Sequence, residues 1–310
     1  MSVGASFDSG LRRRAMCPET FVIVGGCILR ALRIDVVVGL GLAALIAAAS
    51  PLVHAQLPFA VPKASGQTVT PAFEGWYRNA DGTFNLSFGY NNRNSEEVVS
   101  VPIGVANTIA PGAANQGQPT EFQPGRHWGV FAVKVPADFG SKEVTWTVAV
   151  HGATYAIPGF LRANWQIDAL EGEAGSGNTP PALKFAAKGP EGSGPLGITA
   201  GPVTASVAAP FALTVWARDD GKASGSVATS GRGAVPVTLT FFKHQGPGRV
   251  TFTPPSARIP ATGGETTTQA AFSEPGEYMV RVRANDASGV AGAGHAQCCW
   301  TNGFVKVVVK

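Results

Sequence analysis

The sequence is short of charged residues and of cysteine, and it lacks any long amphipathic helical pattern. Only 14% of its 310 residues are charged and 4 are cysteines, whereas glycine (39) and proline (23) are frequent. Glycine and proline interrupt helices and mark turns, so this composition predicts many short strands. The motifs G-x-S-x-G, H-E-x-x-H and the phosphate-binding loop are all missing. The chain is therefore predicted to be an all-β protein that is not an enzyme.

A segment near the N terminus predicts export. Arg30 and Arg33 precede an apolar run at 36–49, and small residues end the segment at Ala55. This order of basic, apolar and small residues is typical of a signal segment, here 1–55, with cleavage after Ala55. The apolar run is shorter than the roughly 20 residues that cross a bilayer, so the membrane is a partner only through an uncleaved leader. We expect a periplasmic, secreted or cell-surface protein.

Charge is nearly balanced beyond the leader. Of the 24 basic and 20 acidic residues, 5 and 3 precede residue 56. A nearly neutral remainder has no basic surface for nucleic acid, so nucleic acid is not expected as a partner. The segment before Met16 is long for a signal peptide, which leaves either Met1 or Met16 as the first residue. Nothing in the sequence specifies an oligomeric state.

Residues 68–170, after a short N-terminal arm at 56–67, are predicted to form a first β-sandwich. "FNLSFGY" and "EVTWTVAV" alternate apolar and polar residues with the period of two that strands require. Turn sequences such as "NADG" and "APGAANQGQP" separate the strands. The successive phrases "GYNNRN", "VPIGVAN", "GQPTEFQPGR" and "VTWT" resemble a β-module of large secreted and surface-attached bacterial proteins. That resemblance implies an extracellular building block and carries over no activity.

Residues 171–195, rich in glycine, proline, glutamate and alanine, predict a linker to a second sandwich at 196–310. In that second part, "LTFFKHQGPGRVTF" and "EPGEYMVRVRAND" resemble strands of PKD-like and cadherin-like domains. The Trp-Asp-Phe-Gly-Asp-Gly type of phrase common in PKD domains is replaced here by "FFKHQGPG". The resemblance implies an immunoglobulin-like fold. The expected architecture is thus two antiparallel immunoglobulin-like β-sandwich domains after an N-terminal signal segment.

The strand around Tyr278 supports that fold on physical grounds. Tyr278 follows a Pro-Gly turn at 275–276, so its ring can cover the core while its hydroxyl binds backbone at the corner. Period-two alternation then predicts two faces. The core face holds Tyr278, Val280, Val282 and Ala284, and the other face holds Met279, Arg281 and Arg283. The arginines mark the second face as the one exposed to water.

Cys298 and Cys299 are the only cysteines beyond the leader. In an oxidising compartment such thiols seldom stay free. The pair admits a vicinal disulfide that presents Trp300, a Cu or Zn site completed by His295, or free and intermolecular thiols. Adjacent cysteines converge poorly on one ion, so we favour the disulfide.

Acidic residues near predicted strand ends suggest a second metal hypothesis. Asp219, Asp220 and Asp286 supply the hard oxygen ligands that Ca²⁺ prefers, although it takes about six to eight of them. Acids that cap their own turns are the simpler interpretation. No cofactor is therefore predicted, with calcium, copper or zinc as the alternatives.

The phrase "PGRHWG" places Arg126, His127 and Trp128 on one loop. An exposed tryptophan beside an arginine can stack a sugar ring, whereas a buried tryptophan belongs to the core. Trp128 and Trp300, with Arg126 and His127, are thus the candidate ligand-binding residues.

Together these features predict an exported, non-catalytic binding or structural protein of the bacterial cell envelope or secreted milieu. Its partner would be an extracellular or envelope protein or a polysaccharide. The alternatives are a metal-handling or redox protein that uses residues 295–300, and a carbohydrate-binding accessory module.

Overall fold

The computed structural model describes residues 63–170, 177–222, 236–286, 288 and 298–310. All of them fall within one compact unit, Val61–Lys310. The predicted signal segment and most of the predicted N-terminal arm lie outside the described residues.

Strands β1 to β8 and a single 3₁₀ turn, Ala163–Trp165, form what we call the N-terminal β-unit. The strands are β1 (Val69–Arg78), β2 (Phe84–Asn92), β3 (Val99–Ser100), β4 (Asn107–Ala110), β5 (Glu121–Phe122), β6 (Gly125–Val135), β7 (Val144–Val150) and β8 (Ala153–Gly159). They pair antiparallel in the orders β1-β2-β6, β4-β7-β8 and β3-β5. Their apolar faces enclose one core, in which the Trp146 ring contacts Phe88 and Phe131.

Strands β9 to β17 form the C-terminal β-unit. They are β9 (Ala182–Lys184), β10 (Ile198–Ala205), β11 (Phe211–Arg218), β12 (Val237–Gln245), β13 (Val250–Thr253), β14 (Ser256–Ile259), β15 (Gly264–Phe272), β16 (Gly276–Asn285) and β17 (Trp300–Val309). Two sheets, in the orders β10-β17-β16-β12-β14 and β13-β15-β11-β9, pack face to face over a second core. All pairings are antiparallel except β10 with β17, which is parallel.

The predicted all-β, immunoglobulin-like fold is confirmed, and so is the tyrosine corner within it. Tyr278 Oη donates to the carbonyl of Glu274 (2.8 Å) and accepts from the Gly248 N–H (3.0 Å). The ring is 3% exposed and lies against Phe272 in the core. This one hydroxyl therefore ties the turn between β15 and β16 to the turn between β12 and β13, and both turns connect the two sheets.

Part of the segment predicted as a linker belongs to the sheet. β9 pairs with β11, and Leu183 within it is fully buried in the C-terminal core. An alternating "ALKF" is too short to stand out among prolines and glycines, which is why the sequence pattern missed it. The C-terminal sheet therefore begins before residue 196, while the division into two domains stays a prediction.

The expectation that the arginine face of β16 is exposed to water is wrong. Arg281 is 2% exposed, and Met279 packs against the N-terminal core. Phe304, on the neighbouring strand β17, is itself part of that core. Both faces of β16 are buried, one within its own sandwich and the other against the N-terminal β-unit.

Polar contacts complete this interface between the two β-units. Lys243 pairs with Glu121 at 2.8 Å, and both side chains are largely buried. The His244 ring lies 5.1 Å from the Phe304 ring, its Nε2 is 2.7 Å from the Gly117 carbonyl, and its own carbonyl accepts from the Thr120 N–H. A buried, hydrogen-bonded interface of this kind holds the two β-units as one scaffold.

His244 predicts an acid-sensitive interface. Burial, followed by the charge of Arg281, lowers the pKa of His244 from 6.5 to about 3. At pH 5 the unfolded chain therefore binds a proton that the folded chain excludes. The free energy of unfolding therefore keeps the full contribution of His244 above pH 6.5 and decreases as the pH falls toward 3. The decrease is about 2 kcal/mol at pH 5.

The variant His244→Gln tests this, because glutamine keeps a donor for Gly117 and does not titrate. Urea unfolding of both proteins at pH 7 and pH 5 should show the wild-type protein losing about 2 kcal/mol more than the variant. An equal loss in the two proteins would contradict the prediction.

Candidate functional site at the loop end of the C-terminal β-unit

Several chain segments meet at one end of the C-terminal β-unit, which we call the loop end. β16 runs toward this end and β12 and β17 start from it, since Asn285 pairs with both Thr238 and Trp300. The described residues of the loop end are 177–181, 219–222, 285–286, 288 and 298–301. Connections at the end of a sandwich are where such folds carry binding residues, because the sheets beneath fix their positions.

Asn178 joins these segments. Its side chain is fully buried, and its amide nitrogen donates to Asp286 Oδ2 (2.8 Å) and to Ser288 Oγ (2.9 Å). Its backbone oxygen lies 3.6 and 3.5 Å from the sulfur atoms of Cys298 and Cys299. One residue from the segment before β9 thus contacts both the end of β16 and the start of β17.

Asp286 is the buried acid of the loop end. It is 3% exposed, and the Ser288 N–H donates to its Oδ1 (2.8 Å). Burial raises the pKa of the Asp286 carboxyl to about 6, although the hydrogen bond from Asn178 opposes this, and the nearby charges of Asp219 and Asp220 add to it. The acid caps its own turn, but it is buried and not solvated as a turn acid ordinarily is.

A cleft of about 300 Å³ opens beside Asp219 and Asp220, and Thr179, Ser193 and Arg218 also line it. Asp220 Oδ2 accepts from the N–H and the hydroxyl of Thr179 (3.3 and 3.1 Å). Burial raises the pKa of Asp219, whose Oδ2 accepts from the Gly221 N–H. The cleft therefore presents carboxylate, hydroxyl and guanidinium groups that can hydrogen-bond a polar partner.

The sulfur atoms of Cys298 and Cys299 lie within bonding distance of each other, and the two residues are 4% and 0% exposed. Both sulfur atoms also contact the Asn178 carbonyl oxygen. The pair joins the segment before β17 to the segment before β9. The pair is a buried part of the loop end and does not face solvent.

Metal ligation finds no support in the described part of the chain. No three His, Cys, Asp or Glu side chains there are arranged to hold an ion. His295, the predicted third ligand beside the cysteines, lies outside the described residues. The carboxyl groups of Asp220 and Asp286 are engaged by Thr179 and Asn178, respectively.

Trp300 is not presented to solvent, which corrects its place among the candidate ligand-binding residues. It is 1% exposed, and its Nε1 donates to the Gly129 carbonyl of the N-terminal β-unit (3.2 Å). Asn302 donates to the same carbonyl (2.7 Å) and to that of Pro195 (2.8 Å). Trp300 therefore fastens the two β-units together beside the cysteine pair.

Arg126, His127 and Trp128 were predicted to share a loop, but they lie at the start of strand β6, in different surroundings. The Arg126 guanidinium lies 3.9 Å from the centre of the half-buried Trp128 ring and pairs with Glu74 at 2.6 Å. His127 points the other way, stacked on Tyr90 at 4.9 Å. Burial, then the charge of Arg281, lowers the pKa of His127 to about 4. The Arg126–Trp128 pair is therefore the part of this phrase that fits the predicted sugar-stacking role.

Sequence reasoning missed Asn178, Gly129 and Glu74, which organise these sites. Glu74 is 4% exposed, and burial raises the pKa of its carboxyl to about 7 although Arg126 opposes this. A charged residue within an apolar strand, as in "VTPAFEGWYR", is the one signal that could have singled it out. Asn178 sits in "SGNTPP", which looks like any polar loop.

No protein-family model and no curated protein matches the sequence. Among solved structures, the chain is similar to the D00–D0 domains of intimin (14% identity, TM-score 0.24, covering 78% of this chain and 100% of that one). It is also similar to the Yersinia pseudotuberculosis adhesin InvE (12% identity, TM-score 0.24, 78% and 58%) and to fibronectin(III)-like modules of Clostridium thermocellum CbhA (13%, 0.22, 78% and 94%). At such low identities and TM-scores these similarities assign no function. In the described part of the chain, no helix is long and apolar enough to span a bilayer.

Proposed function

We propose that this chain is an exported, non-catalytic binding or structural protein of the bacterial cell envelope or secreted milieu, and that it binds its partner at the loop end. The observation that carries the proposal is the convergence of separate chain segments on the buried Asn178 beside an open polar cleft. The buried contacts of Asn178 hold the loop-end segments in place before a partner binds. Such an arrangement suits recognition, because these segments lose little conformational entropy on binding. The tyrosine corner and the Gly-Pro turn support a PKD-like or cadherin-like relationship for the C-terminal β-unit.

Site-specific photo-cross-linking in cells that export the chain tests the location of binding. A photoreactive amino acid replaces Ser193, which is exposed at the cleft, or Val207, which is 47% exposed at the opposite end of the sandwich. A discrete adduct at residue 193 and none at residue 207 is expected. Adducts at both positions, or at residue 207 alone, would contradict binding at the loop end.

Export has its own test. A C-terminally tagged chain, produced in a bacterial host and analysed by intact mass spectrometry, should start at Gln56 and lie outside the cytoplasm. A full-length product retained in the cytoplasm would contradict export without affecting the cross-linking result.

The cysteine pair is proposed to be a structural vicinal disulfide. A proteolytic peptide that contains Cys298 and Cys299 should be lighter by two hydrogen atoms before reduction than after it. Metal analysis of the same sample should find neither copper nor zinc in stoichiometric amount. Stoichiometric metal together with unbridged cysteines would replace this proposal by the metal-handling alternative.

Carbohydrate binding at Trp128 is the second candidate function. The half-buried Trp128 ring is covered on one face by Arg126, which Glu74 holds in place, so a sugar could stack only on the other face. Retention of the purified chain on insoluble polysaccharide should then be lost in Trp128→Ala. The control Trp165→Ala changes a tryptophan that is 39% exposed elsewhere on the N-terminal β-unit. Unchanged retention of Trp128→Ala would remove this candidate.

A further inference from the structure

Arg281, which is buried, and Arg283, which is partly buried, lie at the interface between the β-units, and neither has an acidic partner among the described residues. Arg281 is 2% exposed, and its guanidinium lies 4.4 Å from the centre of the Phe242 ring. The Arg283 guanidinium lies 5.5 Å from the same ring. Burial lowers the pKa of Arg281 to about 9, so the group still carries its charge at neutral pH. Two like charges are therefore held close together away from bulk water.

Two largely buried acids of the N-terminal β-unit are already paired with other cations. Glu121 pairs with Lys243 at 2.8 Å, and Glu74 pairs with Arg126 at 2.6 Å. Among the described residues, neither Arg281 nor Arg283 forms an ion pair with a carboxylate. The face of Phe242 attracts cations, but a cation–π contact stabilises less than an ion pair in a buried site. Positive charge is thus in excess at this point of the interface.

Several hydrogen-bonding groups of this cluster also remain unused. The Nε atoms of Arg281 and Arg283 are buried and have no hydrogen-bond partner. Of the remaining Arg281 nitrogens, Nη1 donates to Asn302 Oδ1 at 3.2 Å. Tyr90 Oη accepts from the Gln123 N–H, which leaves its own hydrogen available. His127 Nε2 faces the Pro124 carbonyl, so the buried and unpartnered Nδ1 is an acceptor in the neutral ring and becomes a donor only when the ring is protonated. A buried donor left unsatisfied costs about 1–3 kcal/mol, more when it is charged.

We infer that this cluster of Arg281, Arg283, Tyr90 and His127 around Phe242 binds a small oxyanion of the phosphate or sulfate class. The anion offsets the excess charge and accepts from the unused guanidinium and hydroxyl groups, for which the planar fork of arginine is well suited. Because the groups come from both β-units, the bound anion links them. This anion site is separate from the loop end. A negative result for anion binding would therefore leave the proposed function untouched, and the reverse also holds.

Calorimetric titration of the purified chain with inorganic phosphate at constant ionic strength tests the inference, with sulfate and chloride titrated in parallel. We expect saturable binding of one phosphate or sulfate per chain and none of chloride. Arg283→Gln, which changes the more accessible arginine, should weaken the binding at least about tenfold. The control Arg162→Gln, which changes an exposed arginine paired with Glu143, should bind as the wild-type protein does.

Nuclear magnetic resonance of His127 supplies a readout that does not depend on any variant. A bound anion beside the ring should shift the His127 signals saturably and raise the pKa of His127. The signals of His151, an exposed histidine of the N-terminal β-unit, should not change. Unmoved His127 signals in phosphate would overturn the inference. So would an equal response of the wild-type protein to phosphate and chloride, or equal phosphate affinities of the wild-type protein, Arg283→Gln and Arg162→Gln.

Discussion

Trp300→Ala is expected to lower the free energy of unfolding by about 3 to 5 kcal/mol, the range found when large buried aromatic side chains are truncated. The Trp300 ring is among the largest side chains that are fully buried in the described chain, and it packs against the backbone of Gly129. Truncation leaves a cavity at the interface of the two β-units and removes the donor that reaches the Gly129 carbonyl. Chemical unfolding followed by far-ultraviolet circular dichroism measures the loss.

The matched control is Trp165→Ala. Trp165 is 39% exposed and stacks on Phe73 at 5.3 Å, so its truncation removes less buried surface and opens no enclosed cavity. A cost of about 1 kcal/mol is expected for it. Equal costs for the two substitutions would show that Trp300 does not fasten the β-units. A Trp300→Ala protein with unchanged stability would contradict its buried position altogether.

Gly129→Ala should destabilise the chain by about 3 kcal/mol, from the combined costs of left-handed backbone and of overpacking. Gly129 has a φ of +44°, and a Cβ atom there would overlap the indole ring of Trp300. Neither the backbone of β6 nor the indole can move away freely, because the Gly129 carbonyl is held by Trp300 and Asn302.

Gly125→Ala separates the two causes. Gly125 lies on the same strand with a φ of +83°, but a Cβ there would have no atom within 4 Å. It should therefore show only the cost of the left-handed conformation, about 1 kcal/mol. In the double variant Gly129→Ala with Trp300→Ala the overlap disappears. Its loss in free energy of unfolding should therefore be smaller than the sum of the losses of the two single variants. Additive costs would mean that the methyl group and the indole do not meet.

Local pattern was enough to predict the elements of the fold but not the partners of their outer faces. "EPGEYMVRVRAND" specifies a turn, a corner tyrosine and an alternating strand, and Tyr278 and Val280 lie in the core as predicted. The short strand β9 was missed because three residues among prolines carry too little periodicity. Arg281 was misplaced because a charged residue ordinarily marks a wet face, and this one is covered by residues distant in the chain.

The candidate site was located in part. The sequence singles out Asp219 and Asp220 as calcium candidates and, separately, the two cysteines as a disulfide, and the structure places both sets at the loop end. Asn178, which joins the segments, was not recognised, because a buried asparagine and a solvated one look alike in sequence. Trp300 was recognised as important but was given the wrong role.

By itself the sequence determined the all-β class, the alternating faces of the strand that begins near Tyr278, and the tyrosine corner, because these depend on side-chain period and on turn residues close by in the chain. Only the tertiary structure decided which of those faces meets water. That outcome depends on pairings such as Trp300 with Gly129 and Lys243 with Glu121, which join residues more than one hundred positions apart. No local pattern encodes such a pairing, since the burial of one surface is a property of the surface that covers it.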